Sequence, residues 1–140
     1  MGRVTSTGIS ETAIDPAVLL AAVDDPAAGA AVSFVGRVRD HDGGRSVTAL
    51  EYHGHPSAAA VVAAVAAEIA DREGVLALAV VHRVGLLTIG EVAIVAAVSA
   101  AHRGTAFAAC SDLVDEVKKR LPVWKRQVFD DGTDEWVGSA

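Results

Sequence analysis

The sequence predicts a single α+β domain of 140 residues, in which a mixed or antiparallel sheet carries a β-hairpin and two main helices. Strand-like segments occur in neighbouring pairs between two long helical segments, whereas a doubly wound parallel sheet would alternate strands and helices one by one. The chain contains no repeat and no low-complexity linker that would separate a second domain. A chain of this length can bury a core without metals or disulfides.

The N-terminal third is predicted to form a short helix followed by a hairpin. Residues 1–14 carry no strong signal, and we expect them to be poorly ordered or strand-like. An Asp-Pro pair then starts a helix that covers Ala17–Val23. Strands are predicted over Ala30–Arg39 and Ser46–His53, and the Asp-Gly step between them indicates that they pair as a hairpin.

Two longer helices follow, over Pro56–Asp71 and Thr105–Leu121. Their apolar residues recur every three or four positions, which is typical of one buried face. The predicted buried positions are Val61, Val65 and Ile69 in the first helix, and Phe107, Cys110, Val114, Val117 and Leu121 in the second.

Three further strands complete the predicted sheet. Val75–Val84 and Glu91–Ala101 are almost continuously apolar, which predicts central strands covered on both faces. Pro122 ends the second long helix, and a short strand over Val123–Val128 follows it. A polar turn then leads into Glu135–Val137.

The composition argues against several classes of function. A net charge of -6 and an aromatic content of 4% disfavour nucleic-acid binding. No apolar run reaches the roughly 20 residues of a membrane helix, and no secretory signal is evident, so we expect a cytoplasmic protein without membrane contact. The single Cys110 is predicted to be a small buried hydrophobe. His53 and His55 lack further ligands at metal-binding spacing, so neither a metal nor a cofactor is predicted.

Against this acidic background, the C-terminal third carries a local cluster of cations. Lys119 and Arg120 each follow an acidic residue by four positions, as ordinary solvent-exposed helix pairs do. Lys118 instead borders the apolar seam of the helix. A lysine in that position often extends its ammonium into water while its stem packs on the core. Lys125 lies beyond the Pro122 break, and the returning strand could bring both lysines to one pocket, where partial burial would lower a lysine pKa towards the range useful for proton transfer.

The strand alternation predicts that Trp124 points away from Lys125 and into the core. His102 and Arg103 follow an apolar strand and precede a helix, a position where backbone N–H groups and the helix dipole favour anions. Arg39 lies at the mouth of the Gly-containing loop Asp40–Arg45 and could close over a ligand. The alternative for these arginines is a surface ion pair or a charged strand edge.

Six segments in order resemble the catalytic (large) subunit of molybdopterin synthase, the MoaE family, from about Gly29 to Val137. They are Phe34-Val35-Gly36-Arg37-Val38-Arg39, His82-Arg83-Val84-Gly85, Ser99-Ala100-Ala101-His102-Arg103, Lys118, Pro122-Val123-Trp124-Lys125-Arg126 and Glu135-Trp136-Val137. The resemblance implies a hammerhead-like single domain and a sulfurtransferase. In that family a small ubiquitin-like carrier presents a C-terminal Gly-Gly thiocarboxylate, and two sulfurs pass to cyclic pyranopterin monophosphate to form the molybdopterin dithiolene.

The same resemblance implies roles for individual residues and an assembly. Lys118 and Lys125 would be catalytic, either by neutralising the thiocarboxylate and the oxyanion or, for Lys118, by acting as a general acid. The substrate-binding residues would be Arg39, His102, Arg103 and Phe34. The family forms a homodimer of large subunits with one carrier at each outer end, a heterotetramer, so His102 and Arg103 could serve the neighbouring subunit.

One departure from the family pattern keeps a second function open. The family commonly has an acidic residue where this chain has Gln127, which cannot supply charge. A non-catalytic regulator that binds a phosphorylated small molecule on the same fold would explain this loss, whereas the retention of Lys118 and Lys125 favours the enzyme. A homo-oligomeric scaffold with a charged rim would leave the ordered cluster of motifs unexplained.

Overall fold

The computed structural model describes residues 1–138, so residues 139–140 of the predicted domain lie outside the description. The described chain forms three helices and nine strands, and the predicted α+β class is confirmed. The elements in order are β1 Arg3–Ser10, α1 Pro16–Ala22, β2 Ala30–Arg37, β3 His41–Asp42, β4 Arg45–Gly54, α2 Ala58–Ala70, β5 Val75–Arg83, β6 Gly85–Thr88, β7 Val92–Ala100, α3 Arg103–Arg120, β8 Val123–Phe129 and β9 Asp134–Val137.

The first sheet contains four strands in the order β1-β5-β7-β2. The N-terminal strand β1 pairs in parallel with β5, and the other pairs are antiparallel. Strands β5 and β7 are central and buried on both faces, as predicted from their apolar runs. Leu78 and Val98 belong to the main core, which includes residues of α2 and α3. Ala79 and Val95 belong to a smaller cluster with Leu19 and Val23 around α1.

The second sheet is antiparallel, with the order β3-β4-β8-β9 and with β6 also paired to β4. The predicted hairpin between Ala30–Arg39 and Ser46–His53 is wrong. Strand β2 pairs with β7 in the first sheet, and the hairpin partner of β4 is the two-residue strand β3. The chain leaves the first sheet at a register shift between Gly36 and Arg37. A side chain at position 36 would be crowded, because an added Cβ would lie only 2.6 Å from Ile94 Cγ2.

Helices α2 and α3 both lie over the main core, but two predicted details differ. In α2 the fully buried positions include Val62, Val65 and Ile69, while Val61 is only partly buried. In α3 the buried seam starts one position earlier than predicted. Phe107 is 62% exposed, because the small residues Ala106 and Ala109 face the sheet instead. Within residues 1–138, no helix is both long and apolar enough to cross a membrane.

Candidate functional site

A polar cavity of about 280 Å³ lies where the chain passes from the first sheet to the second, next to the C-terminal end of α3. Its walls come from the segment after β2, from β3, from β4 and β8, and from the last turn of α3. The lining residues are Arg37, Val38, Arg39, His41, Leu50, Tyr52, Lys118, Lys125 and Gln127. Five of these nine side chains carry or can carry a positive charge, so the cavity suits an anionic ligand.

Lys118 reaches the cavity because α3 buries its neighbours Val114 and Leu121 and leaves this lysine at the edge of the seam. Its ammonium is partly desolvated, and this desolvation and then the charge of Lys125 lower its pKa, with Asp115 acting in the opposite direction. Both effects disfavour the charged form. An anion that binds beside Lys118 would therefore stabilise its charged form.

Lys125 reaches the same cavity from β8, where it lies opposite Tyr52 of β4. Val123, Gln127 and Phe129, which share its side of the strand, are all buried. Trp124 is 44% exposed on the other side, so the prediction that its ring enters the core is wrong. The predicted alternation holds, but the face that bears Lys125 is the one that packs inward, because it lies against the main core.

Neither lysine of the cavity forms an ion pair with a carboxylate among residues 1–138. By contrast, Arg120 on the same turn as Lys118 bonds Glu68, and Arg126 next to Lys125 bonds Asp134. Cations held without carboxylate partners inside a concave site are typical of binding sites for anions.

Asp42, on the short strand β3, bonds two residues that line the cavity, and sequence reasoning missed it. Its Oδ1 accepts a hydrogen bond from Arg39 Nη2 at 3.3 Å, and its Oδ2 accepts one from Gln127 Nε2 at 2.9 Å. The Gln127 bond first, and then the charges of Lys125 and Arg39, keep the pKa of Asp42 below its usual range. A carboxylate therefore lies beside the cavity even though position 127 is an amide. The signal in the sequence was an Asp in the Gly-containing loop.

A buried aromatic pair backs the cavity and also escaped sequence reasoning. The Tyr52 ring, which lines the cavity, meets His82 edge-on with 4.9 Å between ring centroids. His82 is 1% exposed, and burial lowers its pKa to about 4, with a further contribution from the charge of Lys118. Nδ1 donates to the Arg83 carbonyl oxygen at 2.7 Å, which favours the protonated form, but burial outweighs this bond and the imidazole is neutral at physiological pH.

The remaining predicted site residues lie elsewhere in the chain. His102 caps the N-terminus of α3, Arg103 is the first residue of the helix, and both are exposed. Arg103 is fifteen residues before Lys118, which corresponds to about 22 Å along the helix. Phe34 lines a separate, more apolar cavity of about 270 Å³ together with Phe107 and Cys110. Within one chain, the structure therefore brings together Lys118, Lys125 and Arg39, but not His102, Arg103 or Phe34.

The two histidines considered as metal ligands have other partners. His53 Nε2 lies 2.8 Å from Glu51 Oε1, and His55 Nδ1 lies 2.8 Å from the Ser57 hydroxyl oxygen. Across residues 1–138, no three His, Cys, Asp or Glu side chains converge as a metal site would require.

Comparison with known proteins points to the same family as the sequence motifs. The family profile described as MoaE protein matches residues 9–120. The chain belongs to the MoaE protein family. The molybdopterin synthase catalytic subunit of Thermoplasma volcanium is 39% identical over 133 residues, which cover 94% of this chain and 97% of that one.

Two solved structures have the same fold as this chain. The crystal structure of molybdopterin synthase from Staphylococcus aureus matches with a TM-score of 0.87 and 30% identity, covering 94% of this chain and 96% of that one. A protein-protein complex of subunits 1 and 2 of the molybdopterin-converting factor from Helicobacter pylori matches with a TM-score of 0.71 and covers 93% of this chain and 88% of that one. At 22% identity, this second likeness bears on the fold alone.

Proposed function

We propose that this protein is a sulfurtransferase, the catalytic subunit of a molybdopterin synthase. It takes sulfur from the C-terminal thiocarboxylate of a small ubiquitin-like carrier and transfers it to cyclic pyranopterin monophosphate, which yields the dithiolene of molybdopterin. The observation that carries the proposal is the convergence of Lys118, Lys125 and Arg39 on one polar cavity in a member of the MoaE family.

Both reactants are anions, and the cavity is suited to hold them together. The thiocarboxylate and the cyclic phosphate repel each other in water, so a site that binds both must supply positive charge. Lys118 and Lys125 form no ion pair with a carboxylate in residues 1–138, so their ammonium groups are free to contact these reactants. Two fixed cations would also stabilise the oxyanion that forms when sulfur leaves the carrier.

The proposal allows two catalytic roles for Lys118. As a fixed cation it stabilises negative charge in the transition state, and as a general acid it protonates the oxygen released when the cyclic phosphate opens. Desolvation and the neighbouring Lys125 lower its pKa, which moves the ammonium towards the range useful for proton donation. A pH profile of single-turnover rates, compared between wild type and Lys118→Arg, separates these roles because arginine keeps the charge but does not donate a proton.

The proposed assembly is a homodimer that binds one carrier at each outer end. His102 and Arg103 lie about 22 Å along α3 from Lys118 in their own chain. They contribute to phosphate binding in this proposal only if they reach the cavity of the second subunit. The phosphate would then be bound by Arg39 of one chain and by His102 and Arg103 of the other.

The experiment is a single-turnover assay with purified protein, thiocarboxylated carrier and cyclic pyranopterin monophosphate. Molybdopterin is measured through the fluorescence of its oxidised form. We expect product from the complete mixture, none when the carrier carries an ordinary carboxylate, and none from Lys125→Ala. If the complete mixture gives no product while the carrier and the pyranopterin both bind, the protein is a regulator that binds a phosphorylated ligand, and the enzyme proposal fails.

A further inference from the structure

Asp42 is held in place by two residues from different parts of the chain. Arg39, three residues earlier, bonds one carboxylate oxygen, and Gln127 of β8 bonds the other at 2.9 Å. An exposed pair such as Arg39 with Asp42 contributes little on its own. The bond from Gln127 is different, because this side chain is only 3% exposed and its amide donates to a charged acceptor.

The position of Gln127 connects Asp42 to the lysines. Gln127 and Lys125 are two residues apart on β8 and therefore project from the same side of the strand. Both side chains line the cavity, as does Arg39. The carboxylate that Gln127 holds consequently lies over the strand face that presents Lys125, and neither Lys125 nor Lys118 has a carboxylate ion-pair partner in the described chain.

We propose that Asp42 is a positioning residue of the cavity: its carboxylate, clamped by Gln127, orients Arg39 and supplies the negative charge that balances Lys125. Asp42 and Gln127 together act as one acidic group, in which β3 supplies the charge and β8 the buried anchor. The inference rests on the proposed function for its catalytic consequence. Its geometry rests only on the contacts of Asp42.

A charge swap tests this inference. Asp42→Asn keeps the size of the side chain and an acceptor for Gln127 but removes the charge. The double variant Asp42→Asn with Gln127→Glu returns one carboxylate to the pair with the direction of the hydrogen bond reversed. Asp112→Asn is the matched control, since the Asp112 carboxylate also bonds an arginine, Arg72, and neither residue lines the cavity.

The first readout is single-turnover sulfur transfer. We expect Asp42→Asn to slow it at least about tenfold, the swap to restore most of the rate, and Asp112→Asn to match wild type. Melting temperatures are measured alongside, because a merely structural role would change stability without rescue of the rate. Wild-type turnover by Asp42→Asn, or a swap no faster than Asp42→Asn, overturns the inference while leaving the proposed function intact.

The second readout does not depend on sulfur transfer. A nearby carboxylate favours the protonated ammonium, which does not react with acylating reagents. Competitive acylation followed by peptide mass spectrometry should show Lys125 labelled about two- to fivefold faster in Asp42→Asn, and at the wild-type rate in the swap, with exposed Lys119 as internal standard. Unchanged labelling of Lys125 overturns the inference even if wild type proves inactive. If the wild type is inactive but Lys125 is labelled as expected, the inference stands and only the proposed function fails.

Discussion

The two ends of α3 carry similar cations in opposite surroundings. At the C-terminal end, Lys118, Lys125 and Arg39 line one cavity formed by residues of a single chain. At the N-terminal end, His102 and Arg103 are exposed, and neither forms a side-chain hydrogen bond or ion pair within residues 1–138.

The helix dipole acts differently on the cations at the two ends of α3. A cation near the C-terminus of a helix is stabilised by the helix dipole, whereas a cation at the N-terminus is not. Arg103 therefore occupies an unfavourable position unless an anion comes close to it. The cations at the C-terminal end therefore share a cavity, whereas His102 and Arg103 at the N-terminal end have no side-chain partner within residues 1–138.

The largest expected effect on activity comes from Lys118, at the C-terminal end of α3. Lys118→Ala should reduce single-turnover sulfur transfer by about 10²–10³-fold, because it removes a cation that stabilises developing negative charge. The melting temperature should stay within about 2 °C of wild type, since Lys118 borders the core without filling it. Lys119→Ala is the matched control and should keep wild-type activity. A large fall in melting temperature for Lys118→Ala would show that the residue is structural.

The role of the N-terminal end of α3 can be tested by complementation between two inactive variants. Lys118→Ala and Arg103→Ala should each be inactive alone, but a mixture that exchanges subunits should recover about a quarter of the wild-type sites, because half the dimers are mixed and each has one intact site. Activity that stays at background after exchange, verified by native mass spectrometry, would place Arg103 and Lys118 in the site of the same chain. Wild-type activity of Arg103→Ala on its own would place Arg103 outside the site.

The contrast between the ends also explains what the sequence could predict. The spacing indicates that Lys118 and Lys125 could reach one pocket, and both line the same cavity. A helix seam and a returning strand are local patterns, and those patterns survive folding. The hairpin prediction failed because pairing partners are decided by the whole sheet. Strand β2 pairs with apolar β7, and the turn that follows connects two sheets instead of two adjacent strands.

Contacts between distant segments could not be predicted. Asp42 and Gln127 are 85 positions apart, and only the fold brings the amide to the carboxylate. The orientation of Trp124 failed for a related reason. Alternation predicts which residues share a face, but not which face meets the core, and an aromatic side chain misled the choice.

A smaller effect is expected behind the cavity, at His82. The unfolded chain protonates this histidine below about 6.5, whereas in the folded protein its pKa is about 4. Between these values the unfolded state holds more protons, so stability is lost as the pH falls, by about 3 kcal/mol from this residue. In His82→Phe, the loss of unfolding free energy between pH 7 and pH 4, from urea titrations, should be smaller than in wild type by about that amount. Equal losses in the two proteins would mean that His82 is not buried in its neutral form.

The smallest effect is expected at Phe107, in the first turns of α3. Its ring is 62% exposed, so Phe107→Ala should change the free energy of unfolding by less than about 0.5 kcal/mol. Leu113→Ala, at a fully buried position of the same helix, should cost about 2–5 kcal/mol. Urea titrations at low and high protein concentration provide the measurement. A cost at Phe107 that grows with concentration would contradict the single-chain expectation and show that a second copy covers this end of α3, as the proposed homodimer allows.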